Sequence, residues 1–261
     1  MVKYSLRDII NSYEQKRTWE KQFPVNYYII RPFSFLVTHF VIRVSTSPSK
    51  IAAAGLLIGM LGCLSFLGLS LWTAWPGIIL LFTFSLLDAV DGNIARTTHN
   101  VTHYGKFLDS LIGEIIEGSY CFWISLGVTL GSLYIGLKPS YFAHDVQRVI
   151  PLVCGTIIMA GRLYSSFIEM NYERNAFEKE ATKYIAKTGL HNNIKSSTFR
   201  KNWLYLIFVN LNCLNNQILL LFFCILIGKI DIFLYLFALY YIIRVVTYAV
   251  YFLFRAQKQL N

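Results

Sequence analysis

Residues 75–96 read WPGIILLFTFSLLDAVDGNIAR, an apolar run up to Leu87 followed by Asp88, Asp91 and Arg96. A helix rises about 1.5 Å per residue, so roughly twenty such residues cross ~30 Å of hydrocarbon. The stretch reads as a membrane span, and that reading decides the fold class. Similar windows recur at 51–72, 105–131, 149–171, 203–228 and 231–254. Of the 261 residues, 55% are hydrophobic and only 15% charged, too little charge to coat a soluble domain of this size. The expectation is an all-α polytopic membrane protein with six transmembrane helices and the lipid bilayer as its first partner.

The net charge of +10 is unevenly placed. Lys3, Arg7, Lys16, Arg17, Lys21, Arg31, Arg43 and Lys50 come before the first span, and a second basic stretch runs from Arg174 to Lys201. Only Lys138, Arg148 and Lys229 fall on the segments assigned to the other face. Positive residues collect on the cytoplasmic side. Both termini are therefore expected inside, as an even number of spans requires, in the cell membrane or in the endoplasmic reticulum of a eukaryote. Nucleic acid is set aside as a partner, because no compact basic fold is left to carry it. Cys63, Cys121, Cys154, Cys213 and Cys224 all sit in apolar windows without a CxxC pair, and read as buried free thiols. The charged start, MVKYSLRDIINSYEQKRTWEK, lacks the apolar core of a cleavable signal peptide.

Two parts are expected: an N-terminal juxtamembrane segment, residues 1–47, and one six-helix membrane domain, 48–261, with a cytoplasmic loop at about 173–201 that holds a short helix. In YSLRDIINSYEQ, Leu6, Ile9, Ile10 and Tyr13 share a helical face while Arg7, Asp8 and Glu14 fall elsewhere, the pattern of an N-terminal interfacial helix. The aromatic PVNYYIIRPFSFLVTHF, 24–40, suits a second interfacial segment or a short re-entrant piece. TSPSK, 46–50, reads as a helix start with Ser47 as the cap and Pro48 in the first turn.

Carboxylates at a membrane edge are costly and need a purpose. Asp88 and Asp91 stand three residues apart, about 60° around a helix, so both point to one side. Counted from Pro76, the span has descended roughly 18 Å by Asp88 and is nearing the cytoplasmic interface. Two like charges this close repel unless a cation neutralises them, and oxygen ligands suit Mg²⁺ or Mn²⁺. Gly92 and Ala95 leave the adjoining helix face almost bare, so a flat ligand can approach the backbone. Arg96 is a partner for phosphate or carboxylate. After a short turn, YGKFLDS sets Gly105 and Asp109 one helical turn apart, so Asp109 can face the first pair. Together these residues make a pocket for a metal and a diphosphate.

The segment resembles the signature of the CDP-alcohol phosphotransferase (CDP-alcohol phosphatidyltransferase) family, DxxDGxxARx8GxxxDxxxD. Asp88, Asp91, Gly92, Ala95, Arg96, Gly105 and Asp109 occupy seven of its eight fixed positions. TSPSK is loosely similar to the family's Thr-Pro-Asn. The resemblance implies transfer of a phospho-alcohol or phosphono-alcohol group from a CDP-linked donor to an acceptor hydroxyl with release of CMP, in phospholipid or surface-glycan synthesis. It implies Mg²⁺ or Mn²⁺, two ions in the active state, held by Asp88, Asp91 and Asp109. CDP would lie against Asp88, Gly92, Ala95, Arg96 and Gly105. The acceptor is left open among a lipid, a small polyol and a glycan, and a homodimer is compatible with it.

At the eighth position stands Gly113, where the family carries an aspartate credited with binding the second metal and activating the acceptor. Three accounts compete. Glu117, one turn deeper on a similar face, or Glu114, re-aimed by a helix bulge, takes over as catalytic base. Alternatively, the acceptor ionises with metal help. In the third account the protein binds CDP-alcohols without turning them over. Glycine also leaves room for a bulkier acceptor, which favours a lipid or glycan.

Arg162, in the fourth window, is a candidate for acceptor binding, since family members that use phosphorylated acceptors carry an arginine in this helix; its bland reading is a structural ion pair. Arg244 reads as a packing or snorkelling residue. His99 and His103 sit in the turn between the second and third spans, where either could relay a proton and a solvated turn histidine is the commoner case. The polar run NLNCLNNQ, 210–217, either lines the acceptor cavity or ties helices together. The sequon Asn100-Val-Thr102 falls on the cytoplasmic side and is disregarded. A multi-pass transporter would show inverted repeats; the acidic motif occurs once. A membrane prenyltransferase would carry two Asp-rich motifs.

Overall fold

The computed structural model describes residues 4–68, 71–130, 144–186 and 203–260, and every element in them is helical. Ser5 and Asp8 start the chain's first helix. The Ser5 hydroxyl accepts from the Asp8 N–H and the Asp8 carboxylate from the Ser5 N–H, a reciprocal cap that opens α1 (Leu6–Ser12). A short α2 (Glu14–Glu20), a π-helical turn (Asn26–Ile30) and α3 (Arg31–Val41) follow. These pieces form an arm docked on the membrane domain. The apolar face expected at the bilayer is partly the docking face: Ile9 and Tyr13 are buried, whereas Ile10 is 39% exposed. On α3 the polar side faces in, with Arg31, Ser34 and Thr38 buried, and Phe33, Leu36 and Phe40 face out.

The membrane domain begins with α4 (Pro48–Ser65), shorter than the expected 51–72. Ser47 occupies the cap position, but its hydroxyl makes no capping bond, so Pro48 in the first turn is the surviving start signal. Ala52, Gly55, Gly59 and Gly62 form the buried stripe of α4, and this helix packs on α5 (Leu71–Thr97) and α6 (His103–Thr129). A Cβ on Gly59 would stand 3.0 Å from Ile116 and 3.1 Å from Phe84, so glycine is what lets these helices approach. Then come α7 (His144–Ala186), α8 (Trp203–Asn212), α9 (Leu214–Ile227) and α10 (Ile230–Leu260). The core runs between α4, α5, α6, α9 and α10 through Leu81, Phe84, Ile116, Tyr120, Leu221 and Tyr241.

Two boundaries differ from expectation. The helix of the fourth window continues to Ala186, so the first half of the expected 173–201 loop is helical; residues 187–202 lie outside the described residues, as does Lys138. The fifth window is not one helix. It breaks at Cys213 into α8 and α9, bent by 72°, because the asparagine-rich run spends its polar groups on other segments. Asn210 donates to the Gln22 carbonyl at 2.8 Å, Asn215 to Asn26 at 2.5 Å, and Gln217 accepts from Tyr120 at 2.6 Å. The run ties helices together. Among the described residues five helices are long and apolar enough to cross a membrane, six if the bent pair is one span.

Candidate active site

Two aspartates ride the last turns of α5, and a tight turn returns the chain to present a third. The turn needs a left-handed residue, which is His99 at φ 54°, with the His99 and Asn100 N–H groups bonding back to Arg96 and Ala95 carbonyls. His99 and His103 are both exposed. The Thr102 hydroxyl then caps α6 by accepting the Gly105 N–H at 2.9 Å. This hairpin brings carboxylate oxygens of Asp88, Asp91 and Asp109 within 4.8 Å of one another. Asp91 is 7% exposed, and the other two are open. Ala52, Gly55, Phe84 and Ile112 wall the group.

The ion pairs among the described residues engage Glu14, Glu20, Glu114 and Glu117, and none engages these aspartates. Three clustered carboxylates with no ion-paired cation among the described residues fit a divalent metal with oxygen ligands.

Beside them opens a cavity of about 650 Å³. Asp91, Gly92, Ala95, Arg96, Gly105 and Asp109 all line it, so the candidate residues spread over two helices converge on one space. Arg96 lies over Gly92, donates to Asn93 Oδ1 at 2.8 Å, and keeps a buried Nε with no partner. An orphaned donor at a cavity wall suits an anion. Among the lining residues that escaped sequence reasoning are Lys16, Tyr104 and Lys106. Lys106 follows Gly105 directly and could have been found; nothing local marks Lys16.

A second polar cluster occupies the same helix two turns deeper. Arg162 of α7 is ion-paired with Glu117 of α6 and lies 4.0 Å from Glu114. Its Nη1 also reaches the Asn212 carbonyl at 3.3 Å and the Tyr241 hydroxyl at 3.4 Å. Ser166 donates to Glu114 Oε1 at 3.0 Å, while Glu114 Oε2 is buried without a hydrogen-bond partner. Arg162 and Glu117, singled out separately, thus hold each other. A Cβ at Gly113 would meet nothing within 4 Å. Arg244 is 5% exposed and donates to Tyr240 and Tyr248, a packing arrangement.

A helical membrane domain with an acidic cluster beside an anion-ready cavity defines the class; comparison with known proteins defines the family. The profile of the CDP-alcohol phosphatidyltransferases matches residues 45–256, so the chain belongs to that family. It is 38% identical over 81 residues to the archaetidylinositol phosphate synthase of Pyrococcus horikoshii, covering 31% of this chain and 42% of that protein. It is 30% identical over 158 residues to the phosphatidylinositol phosphate synthase of Streptomyces avermitilis, covering 55% and 62% respectively. The chain spans about half the length of these relatives.

Proposed function

We propose that this protein is a metal-dependent CDP-alcohol phosphotransferase of phospholipid synthesis, with its site near the cytoplasmic face beside the basic segments. The observation that carries this is the convergence of Asp88, Asp91 and Asp109 beside a cavity walled by Gly92, Ala95, Arg96 and Gly105. The aspartates would hold Mg²⁺ or Mn²⁺, two ions in the active state. Bound metal would polarise the donor's diphosphate and make the acceptor hydroxyl more acidic. Gly92 and Ala95 offer a side-chain-free seat for the cytidine, and Arg96 carries a free donor for the phosphates.

The acceptor oxygen attacks the phosphorus that bears the donor's alcohol, the bond to CMP breaks, and CMP leaves. In this reading the acceptor's proton passes to a carboxylate. Glu117 is hydrogen-bonded by Arg162, whereas Glu114 meets the same arginine only at 4.0 Å and accepts from Ser166. Glu114, the less tightly held of the two glutamates, is the base this reading favours, next to Gly113 in the chain. Both relatives are named for inositol phosphate products. Here the charge of Arg162 is already balanced, so an acceptor whose hydroxyl carries no neighbouring phosphate suits the site better. The test is CMP release from CDP-diacylglycerol and from a small CDP-linked alcohol by the purified protein with Mg²⁺. Release that persists in Asp91→Asn would overturn the assignment. Glu114→Gln should lower kcat and leave donor KM unchanged, and an unchanged kcat would remove Glu114 as base.

A further inference from the structure

The N-terminal arm precedes the family match, which starts at residue 45. It is nevertheless locked to the motif helix by a buried polar network. Arg31 Nε and Nη2 each donate to Glu20 at 2.6 Å, and the Tyr13 hydroxyl donates to the same carboxylate. Arg31 Nη1 then donates at 3.3 Å to Asn93 Oδ1, the oxygen that also accepts from Arg96. The Asn93 amide donates in turn to Ser34 and Thr38 at 3.1 and 3.2 Å. Glu20, Arg31, Ser34, Thr38 and Asn93 are all buried. A second tie joins the Ser12 and Thr97 hydroxyls at 3.2 Å.

This network sets the rotation of α2. Tyr13, Lys16 and Glu20 are spaced three and four apart and share one helical face. With Tyr13 and Glu20 fastened inward, Lys16 between them is placed on the rim of the cavity. Lys16, Arg96 and Lys106 come from three separate elements and line one space that also contains Asp91 and Asp109. Lys16 has no ion-pair partner among the described residues; its ammonium stands 5.8 Å from the Trp19 ring centroid. Loss of water, and then Arg31 and Arg96, lower its ammonium pKa against the opposing pull of Glu20 and Asp88, so a bound anion would favour its charged form. Such a ring of cations is poorly suited to a neutral ligand and well suited to a diphosphate.

We infer that the arm is a wall of the donor site and that Lys16 binds an oxygen of the CDP-linked donor's diphosphate. This rests on the proposed function and adds a binding residue that the signature does not contain. The arm also couples nucleotide binding to the register of α2, since Asn93 lies within the signature itself.

The full chain in nanodiscs with Mg²⁺ provides the test, with binding of CDP, CMP and cytidine measured by calorimetry. Lys16→Gln should weaken CDP by roughly tenfold, the size of one charge-assisted hydrogen bond, and flatten its salt dependence. CMP should suffer less and cytidine not at all. Lys16→Arg should stay within a few-fold of wild type, and Lys21→Gln, which changes an exposed lysine off the cavity, should not alter CDP binding. Wild-type CDP affinity in Lys16→Gln overturns the inference while leaving the donor reading intact. An equal loss for CDP, CMP and cytidine overturns it too, since it would mark a structural effect. Failure of the wild-type protein to bind CDP at all sinks the donor reading and this inference with it.

Discussion

Helix α6 carries two acidic clusters that treat charge in opposite ways. Near its start, Asp109 joins Asp88 and Asp91 with oxygens within 4.8 Å and no ion pair among the described residues. Two turns deeper, Glu117 is matched by Arg162, which Asn212 and Tyr241 hold in place. The second cluster carries its own cation, as a buried carboxylate needs to persist. The first has no ion-paired cation among the described residues and, on the proposed function, takes one from outside. On the proposed function, the contrast separates charge kept for a ligand from charge used to join α6, α7 and α10, and each cluster can be broken separately.

The largest effect is expected at Asp91. Removing one charge from three clustered carboxylates leaves the remaining two poorly able to hold a divalent ion. Asp91→Asn should lower metal-dependent CDP affinity by about a hundredfold or more in calorimetry, with the fold unchanged. Repulsion is relieved, so thermal stability without metal should hold or rise. A drop in metal-free stability would show that the aspartates are structural after all.

Next comes the paired cluster. Glu117→Gln leaves buried Arg162 with only the longer contact to Glu114, and should cost about 2–3 kcal/mol of stability. Adding Arg162→Met should recover part of that loss, because the poorly matched charge goes with it. Donor affinity should barely change in the double variant. If CDP binding fell as far as in Asp91→Asn, the two clusters would be one site and the contrast would dissolve.

A smaller change is expected at Ala95, on the cavity wall. Ala95→Leu should weaken donor binding by roughly tenfold or more, since added methylenes against a fitted ligand cost about 1–3 kcal/mol. The melting temperature should be near that of wild type, because the side chain faces open space. Unchanged donor affinity in folded protein would place the cytidine elsewhere.

What the sequence disclosed and what it hid follow the range of the interactions. Spans are legible because hydrophobic length is a local property, and Asp88, Asp91 and Asp109 are legible because helical spacing brings neighbours to one face. The break at Cys213 was only hinted at by NLNCLNNQ. Which helix those amides would bind depends on Gln22 and Asn26, some 190 residues away in the chain. The arm's role was invisible for the same reason: Arg31 meets Asn93 across 62 residues, and nothing in QKRTWEK distinguishes Lys16 from the basic residues around it. Arg162 and Glu117 were each marked by being charged in an apolar window, but their pairing, across 45 residues, was not.

The smallest expected effect tests how the two clusters divide the space between them. Gly113 lies one turn beyond Asp109, and a Cβ there would meet nothing within 4 Å. Gly113→Asp therefore fits without displacing a neighbour, and exchange of a helical glycine costs no backbone stability. It sets a fourth carboxylate beside the three aspartates, so a second divalent ion should bind more tightly. Donor affinity should stay nearly unchanged, because the cavity residues from Gly92 to Gly105 are untouched. If the gap at Gly113 accommodates the acceptor beside Glu114, turnover with the native acceptor should fall a few-fold through a raised acceptor KM. If the glycine instead marks a lost base, kcat should rise. The first outcome is expected, since the three clustered aspartates and the small residues around them are intact, and a decaying site would shed these as readily as position 113. A clear rise in turnover of the native acceptor would reverse that assignment and return the role of base from Glu114 to position 113.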